Sequence, residues 1–321
     1  MDAALAPAYV AHVKLDRPDI ISTPVVLRTQ GWRDYGLVDS GDGRKLERYG
    51  QVRVVRPEPQ CLWRPALDEA TWAKADAVFD PADEDDAGRW RFPGKAPPES
   101  WPLAWGQAKF LARCTSFRHL AFFPEQAANW EWLEAAVAAR ANEGGAAPKV
   151  LNLFGYTGVA SLVCAAAGAA VTHVDASKKS VAQARENAAL SGLDDRPIRW
   201  ICEDARRYVQ REVRRGSHYE GVILDPPKYG RGPEGEVWRL FEDLPKLAAD
   251  CAALLSDDAE FLLINAYAAR ISGVSLAHLL ADVLQGRGGV IDFGELALVE
   301  DGAQGREIGL SFFARWRRRT P

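Results

Sequence analysis

The densest chemistry in this 321-residue chain lies in Asp225-Pro226-Pro227-Lys228-Tyr229. Two prolines fix φ and remove two amide donors, so the chain must leave the preceding apolar run in a stiff, extended turn. That turn holds the Asp225 carboxylate and the Pro226 carbonyl as fixed acceptors, able to grip an amine or the edge of a base. Upstream, the apolar run 150–153 ends in Phe154-Gly155-Tyr156-Thr157-Gly158. Glycine in such a turn lets the backbone approach a ligand closely. The spacing is G-x-x-G, so the dinucleotide fingerprint G-x-G-x-x-G is absent. Asp175, followed by Ala176 and Ser177, ends the next apolar run, where an ionised acid can accept from both hydroxyls of a ribose. Asp204 and Ala205 follow the run after that, with Asp204 placed to accept from the amino group of an adenine. Either acid could instead be a helix N-cap. Their order at consecutive strand ends favours a shared ligand. Lys228 could meet a phosphate or sit in a surface salt bridge, and Tyr229 could stack on an unstacked base.

These residues need a scaffold, and the hydrophobic period supplies one. Apolar positions at helical spacing (Ala127, Trp130, Leu133, Val137) predict an amphipathic helix over 126–141. After it the elements alternate. Strands are expected at 150–153, 170–174, 197–201, 220–224 and 260–264, and helices at 159–167, 177–190, 204–214, 239–255 and 275–285. This alternation predicts a doubly wound, Rossmann-like α/β fold with a mostly parallel sheet and helices on both faces. The last two strands, 290–299 and 306–316, have no helix between them and predict a C-terminal antiparallel edge hairpin, which makes seven strands. The first 120 residues read differently. They are rich in tryptophan (Trp32, Trp63, Trp72, Trp90, Trp101, Trp105) and punctuated by glycine and proline. Short runs at 35–39, 51–56, 89–92, 108–114 and 119–123 predict strands, with one short helix inside 65–77. The expected organisation is a smaller β-rich accessory domain over 1–120, which would present substrate, and a catalytic domain over 121–321.

Residues from about 120 to 316 resemble class I S-adenosylmethionine-dependent methyltransferases. In that family an Asp/Asn-Pro-Pro-Tyr/Phe motif marks enzymes that methylate nucleobases or other planar amides. The variant Asp225-Pro-Pro-Lys-Tyr229 is similar to bacterial enzymes acting at cytosine C5 or guanine N7 of large-subunit ribosomal RNA. Phe122-Phe123-Pro-Glu125-Gln126 resembles their Phe-Phe-Leu-Asp-Gln-Arg segment, which helps hold the methionine end of the cofactor. The resemblance places Phe154 to Thr157 beside the methionine portion, Asp175 on the ribose, and Asp204 with Ala205 at the adenine. Asp225 and Pro226 would face the methyl group and the nucleophile. Two departures stand out. Ala127 occupies the place of the arginine, which leaves the partner of the cofactor carboxylate open. The cysteine that the C5 enzymes carry after the strand at 261–264 is absent, since this chain reads Asn265-Ala-Tyr267. C5 transfer needs such a thiolate to attack C6, so transfer to a nitrogen is expected. An acceptor on a protein amide or small molecule, or a binding protein without catalysis, are the competing readings.

Composition narrows the setting. The chain is 47% hydrophobic and 26% charged, as in ordinary globular proteins, with a net charge of −4. The acidic balance argues against indiscriminate nucleic-acid binding, although residues 28–64 gather eight basic side chains against five acids. An acidic block, Asp80, Asp83, Glu84, Asp85 and Asp86, supplies opposing charge. No apolar run reaches the ~18 residues of a membrane span, and the first residues have no secretory signature. The cysteines (61, 114, 164, 202, 251) form no C-x-x-C pair, and the histidines (12, 119, 173, 218, 278) show no metal spacing. Cys164, Cys202 and Cys251 read as buried. A cytoplasmic enzyme acting on structured RNA is the expectation, with S-adenosylmethionine as cofactor, no metal, and either a monomer or a homodimer.

Overall fold

The computed structural model describes residues 17–82, 87–267, 270–302 and 305–319. Asp83, Glu84, Asp85 and Asp86 of the acidic block lie outside the described residues, and Asp80 pairs with Arg91 at 3.5 Å. The described residues begin with two short strands, β1 (Asp19–Ile20) and β2 (Val25–Thr29), and continue through β3 (Tyr35–Gly41), β4 (Arg44–Tyr49) and β5 (Val52–Pro57). A single helical turn, α1 (Glu69–Trp72), precedes β6 (Ala77–Pro81) and β7 (Gly88–Arg91). Strands β3 to β7 form one five-stranded sheet. The hairpin of β8 (Trp101–Trp105) and β9 (Ala108–Ala112) follows.

The remaining elements alternate as expected. They are α2 (Ala127–Asn142), β10 (Lys149–Leu153), α3 (Val159–Ala166), β11 (Ala170–Asp175), α4 (Lys178–Ser191), β12 (Ile198–Cys202) and α5 (Ala205–Arg215). Next come β13 (Gly221–Leu224), a small hairpin of β14 (Tyr229–Arg231) and β15 (Val237–Arg239), and α6 (Leu240–Ala253). Last are β16 (Phe261–Tyr267), α7 (Gly273–Val283), β17 (Val290–Val299) and β18 (Glu307–Arg317). The main sheet runs β12-β11-β10-β13-β16-β18-β17, parallel from β12 to β16, with β18 antiparallel to both neighbours. These are the seven strands and the C-terminal antiparallel hairpin read in the sequence. The strand order reverses between β10 and β13, which makes the carboxyl ends of those strands the place where a ligand crevice opens.

Two features differ from the sequence reading. Strands β1 and β2 pair in parallel with β17, so the sheet has nine strands and its first segments come from the chain's beginning. Residues 119–123 are not a strand. Ala121 takes a positive φ of 70°, and Pro124 opens a 3-10 turn at Pro124–Gln126 that leads into α2. The one short helix expected within 65–77 is present as α1, capped by Asp68.

The β-rich region and the main sheet share a core. Trp32 packs against Trp105, Phe110, Phe122 and Trp130, with ring centroids 5.4 to 6.1 Å apart. Trp130 belongs to α2, so these rings bury apolar surface from both parts of the chain at once. Beneath them lies a buried charge network. Glu47 accepts from Arg56 at 2.6 Å and from Tyr35 and Tyr49 at 2.9 and 3.1 Å. Asn187 of α4 accepts from Leu111 N of β9 at 3.0 Å and donates to the Thr157 carbonyl at 2.9 Å. One side chain thereby ties the β8–β9 hairpin to the glycine turn.

Candidate active site

The crevice at the strand-order reversal is a cavity of about 380 Å³. That is within the size range of small-molecule and cofactor pockets. Its base is the turn after β10. Phe154 and Tyr156 hold positive φ values of 57° and 49°, and Gly158 holds 86°. Bulky residues in the left-handed region are strained, and such strain persists only where neighbours fix it. Gly155 N donates to the Val174 carbonyl at 3.0 Å, Gly158 N to the Gly155 carbonyl at 2.9 Å, and Thr157 Oγ1 to the Ala121 carbonyl at 2.6 Å. A Cβ on Gly158 would stand 2.8 Å from that of Ala184, and one on Gly155 would stand 2.5 Å from the His173 ring. Only glycine lets this turn lie so close to β11 and α4.

Asp175 ends β11 and anchors the turn. Its Oδ2 accepts from Tyr156 N and its Oδ1 from Ser177 N, both at 2.8 Å. A carboxylate has about four acceptor positions, so each oxygen keeps one for a ligand hydroxyl. Burial raises its pKa, opposed by those two backbone donors. Ser177 caps α4 by accepting from Ser180 N at 3.2 Å. Asp204 caps α5, accepting from Arg206 N and Arg207 N at 3.0 and 3.1 Å, and is paired with the Arg206 guanidinium. It is therefore an N-cap that also lines the cavity, with Ala205 and Glu203 beside it.

The Asp225 carboxyl lines the same cavity. Burial, joined by the negative charge of Glu125, pushes it up from 3.8 to about 7. Glu125 is itself buried and raised by desolvation. Two buried acids thus line one cavity, close enough for the charge of one to raise the other. Pro226 and Pro227 line it as well, and Trp238 Nε1 donates to the Pro227 carbonyl at 2.7 Å, pinning the stiff turn.

Of the residues singled out in the sequence, the cavity gathers Phe123, Glu125, Gln126, the whole of Phe154 to Gly158, Asp175, Ala176, Ser177, Asp204, Ala205, Asp225, Pro226 and Pro227. Lys228 and Tyr229 are outside its wall. The two prolines carry the chain outward, so both side chains are exposed, Tyr229 by 50%. Cys202, read as buried, is exposed as well: it ends β12, at the sheet edge, with its Sγ against the Ala176 carbonyl at 3.6 Å. Cys164 and Cys251 are buried as expected. No cysteine is among the lining residues.

Other lining residues went unread. Asn129 is a polar residue on the buried face of α2, three positions after Gln126, and that break in an apolar stripe was its signal. Asn265 stood out only as the missing cysteine. His119, Tyr267, Trp238 and Arg231 reach the cavity from separate loops and strands, and no local pattern announces them. His119 stacks nearly parallel on Phe117, with centroids 5.5 Å apart, and its Nδ1 is 3.3 Å from the Tyr156 hydroxyl. Phe117 is 47% exposed, so an aromatic strip runs from the surface into the cavity.

Comparison with known proteins agrees with this geometry. A family model for S-adenosylmethionine-dependent methyltransferases matches residues 125–264. Ribosomal RNA large subunit methyltransferase I of Shewanella denitrificans is 27% identical over 249 residues, which is 71% of this chain and 58% of that protein. Ribosomal RNA large subunit methyltransferase K/L of Shewanella baltica is 34% identical over 119 residues, 36% of this chain and 16% of that protein. The chain therefore spans little more than half of the first relative and a small part of the second. A crystal structure of a SAM-dependent methyltransferase from Agrobacterium tumefaciens is similar at 50% identity and a TM-score of 0.89, covering 95% of this chain and 96% of that one. The cavity chemistry fits the family's cofactor, with spare acceptors on Asp175 for a diol, a close-approach glycine turn, and buried polar groups at the Gln126 end. With half of its residues shared along nearly its full length, this chain belongs to the S-adenosylmethionine-dependent methyltransferases.

Proposed function

We propose that the protein methylates a nitrogen on a nucleobase of structured RNA, with ribosomal RNA the favoured class. The observation that carries this reading is Asp225: a carboxyl pushed up to about 7 by burial, on a rigid turn, in a cavity without a cysteine. When bound, S-adenosylmethionine supplies a methyl group on a sulfonium, already activated for displacement. The protein's task is then alignment, and holding reactants in line can contribute roughly 7–11 kcal/mol. Asp225 accepts the proton that the acceptor nitrogen sheds as it gains the methyl group. An acid whose pKa lies near the working pH suits that role. The Pro226 carbonyl beside it accepts from the amine or base edge. Attack from cytosine C5 would instead need a thiolate adding to C6, and the cavity provides none.

Several features support an RNA acceptor. The Phe117–His119 stack offers a flat platform at the mouth, of the kind on which unstacked bases rest. Arg231 at the rim, with Lys228 and Tyr229 just outside, provides cations and a ring for a flanking phosphate and base. The names of the Shewanella relatives point to large-subunit ribosomal RNA. In this reading the β-rich region over residues 1–120 presents the RNA and the protein works in the cytoplasm.

The test is transfer of tritiated methyl from S-adenosylmethionine to ribosomal RNA, protein extract and a metabolite pool, followed by nucleoside analysis. Label in an N-methylated nucleoside of RNA is expected. Label confined to protein or metabolites, or found as 5-methylcytosine, would overturn the proposal.

A further inference from the structure

At the end of the cavity nearest the 3-10 turn, where the resembling enzymes carry arginine, this chain has Ala127. Four buried polar side chains line the wall there: Gln126 (7% exposed), Asn129 (1%), Asn265 (2%) and Ser311 (2%). Their orientations follow from one fixed point. Arg315 of β18 carries donors only. Its guanidinium is clamped by Asp292, with Nε 3.1 Å from Oδ2, and lies over the rings of Trp132 and Phe313 at 4.6 and 5.0 Å. Its Nη1 is 3.5 Å from Asn129 Oδ1. Asn129 must keep its oxygen toward that cation, because turning the amide over would set donor against donor. Its Nδ2 consequently faces away, and donates to Gln126 Oε1 and to Asn265 Oδ1, each at 3.0 Å. With their oxygens committed to Asn129, Gln126 and Asn265 direct their own NH2 groups elsewhere. Neither nitrogen has a hydrogen-bond partner among the described residues, and both side chains line the cavity. The Ser311 hydroxyl on the same wall is also buried without a partner.

We propose that Arg315, acting through Asn129, aims the amide N–H groups of Gln126 and Asn265 at a carboxylate. Together with the Ser311 hydroxyl they hold the carboxylate of the cofactor's amino-acid end, in place of an arginine at 127. The proposal rests on the S-adenosylmethionine reading of the cavity. Several neutral donors converging on one ionised acceptor make strong bonds, since charge-assisted hydrogen bonds are roughly twice as strong as neutral ones. Glu125 on the adjoining turn offers the acceptor that the neighbouring amine of an α-amino acid requires. Because Asp292 already neutralises Arg315, no unpaired cation is buried before the ligand arrives, a state that would be strongly unfavourable. Arg315 is thus a positioning residue, and Gln126, Asn265 and Ser311 are the binding ones.

Calorimetry with two ligands tests this: S-adenosylhomocysteine, and 5′-methylthioadenosine, which lacks the amino-acid end. Asn129→Asp keeps the shape and the contact with Arg315, but it can only accept. Gln126 and Asn265 would then turn their NH2 groups toward it and show carbonyls to the cavity. S-adenosylhomocysteine is expected to bind roughly 10- to 100-fold more weakly, as for loss of hydrogen bonds to a charged group, with methylthioadenosine affinity unchanged. Gln126→Glu, a change at the cavity wall, should give the same selective loss and serves if Asn129→Asp melts early. Equal weakening of both ligands, or no weakening of either, would overturn the proposal alone. Wild-type protein that binds neither ligand would overturn the cofactor reading and the proposal together.

Discussion

Replacing Asp225 by asparagine separates what this side chain does for stability from what it does for transfer. Its carboxyl lies at about 7 in the folded protein against an ordinary 3.8, chiefly through burial. An acid whose folded pKa is raised holds its proton longer when folded, so wild-type stability falls as pH rises from about 4 to about 7, then stays level. Each tenfold in the protonation equilibrium is about 1.4 kcal/mol. The upper bound on the penalty above pH 7 is then ~4 kcal/mol, and solvent entering the cavity reduces it to roughly 1–2 kcal/mol. Asparagine has the same shape and no charge, so Asp225→Asn should melt a few degrees higher than wild type at pH 8. The gain should shrink steadily toward pH 4. Methyl transfer should be abolished, with S-adenosylhomocysteine binding retained. If the ionised carboxylate is the proton acceptor, as proposed, kcat/KM of the wild type should rise with pH and level off near 7. Scanning fluorimetry at pH 5 and pH 8, with transfer assays on the same samples, makes the measurement. A variant that melts no higher at pH 8, or one that still transfers methyl groups, would refute the reasoning.

Asp175→Ala removes the acceptor for Tyr156 N and Ser177 N as well as for the ligand diol, and should weaken S-adenosylhomocysteine binding by roughly 10-fold or more in calorimetry; unchanged affinity would refute a diol role. Phe117→Ala takes the exposed ring off His119 and should raise KM for an RNA acceptor while leaving cofactor affinity intact. Proportional loss of both would place Phe117 in the fold rather than in acceptor binding. Burial alone would raise the Glu47 carboxyl, but Arg56 and Lys45 draw it down from 4.5 to about 2. Its contribution to stability is therefore complete above about pH 4.5 and is lost as pH falls toward 2. Glu47→Gln should lower stability at neutral pH by about 3 kcal/mol, as when one partner of a buried pair is removed, and should flatten the acid limb of the melting profile.

The sequence by itself determined the scaffold, because that information is local. Alternating apolar periods specified the five parallel strands of the main sheet, and the helix-free stretch before the last strand specified the hairpin. Most of one wall of the cavity was legible for the same reason. Asp175, Asp204 and Asp225 each sit at or within two residues of a strand's carboxyl end, where a parallel sheet must bring them to one edge. The fold decided what depends on residues far apart in the chain. Strands β1 and β2 join β17 across more than 260 residues, a pairing that no period encodes. Lys228 and Tyr229 share a motif with Asp225, yet two prolines turn them away from the cavity, and only the packed backbone shows which side they face. The Arg315–Asn129–Asn265 relay gathers side chains from β18, α2 and β16, and its meaning lies in which amide atom points where. That direction follows from a guanidinium that can donate but cannot accept. A donor pattern of this kind arises from contact, and contact is what tertiary structure adds.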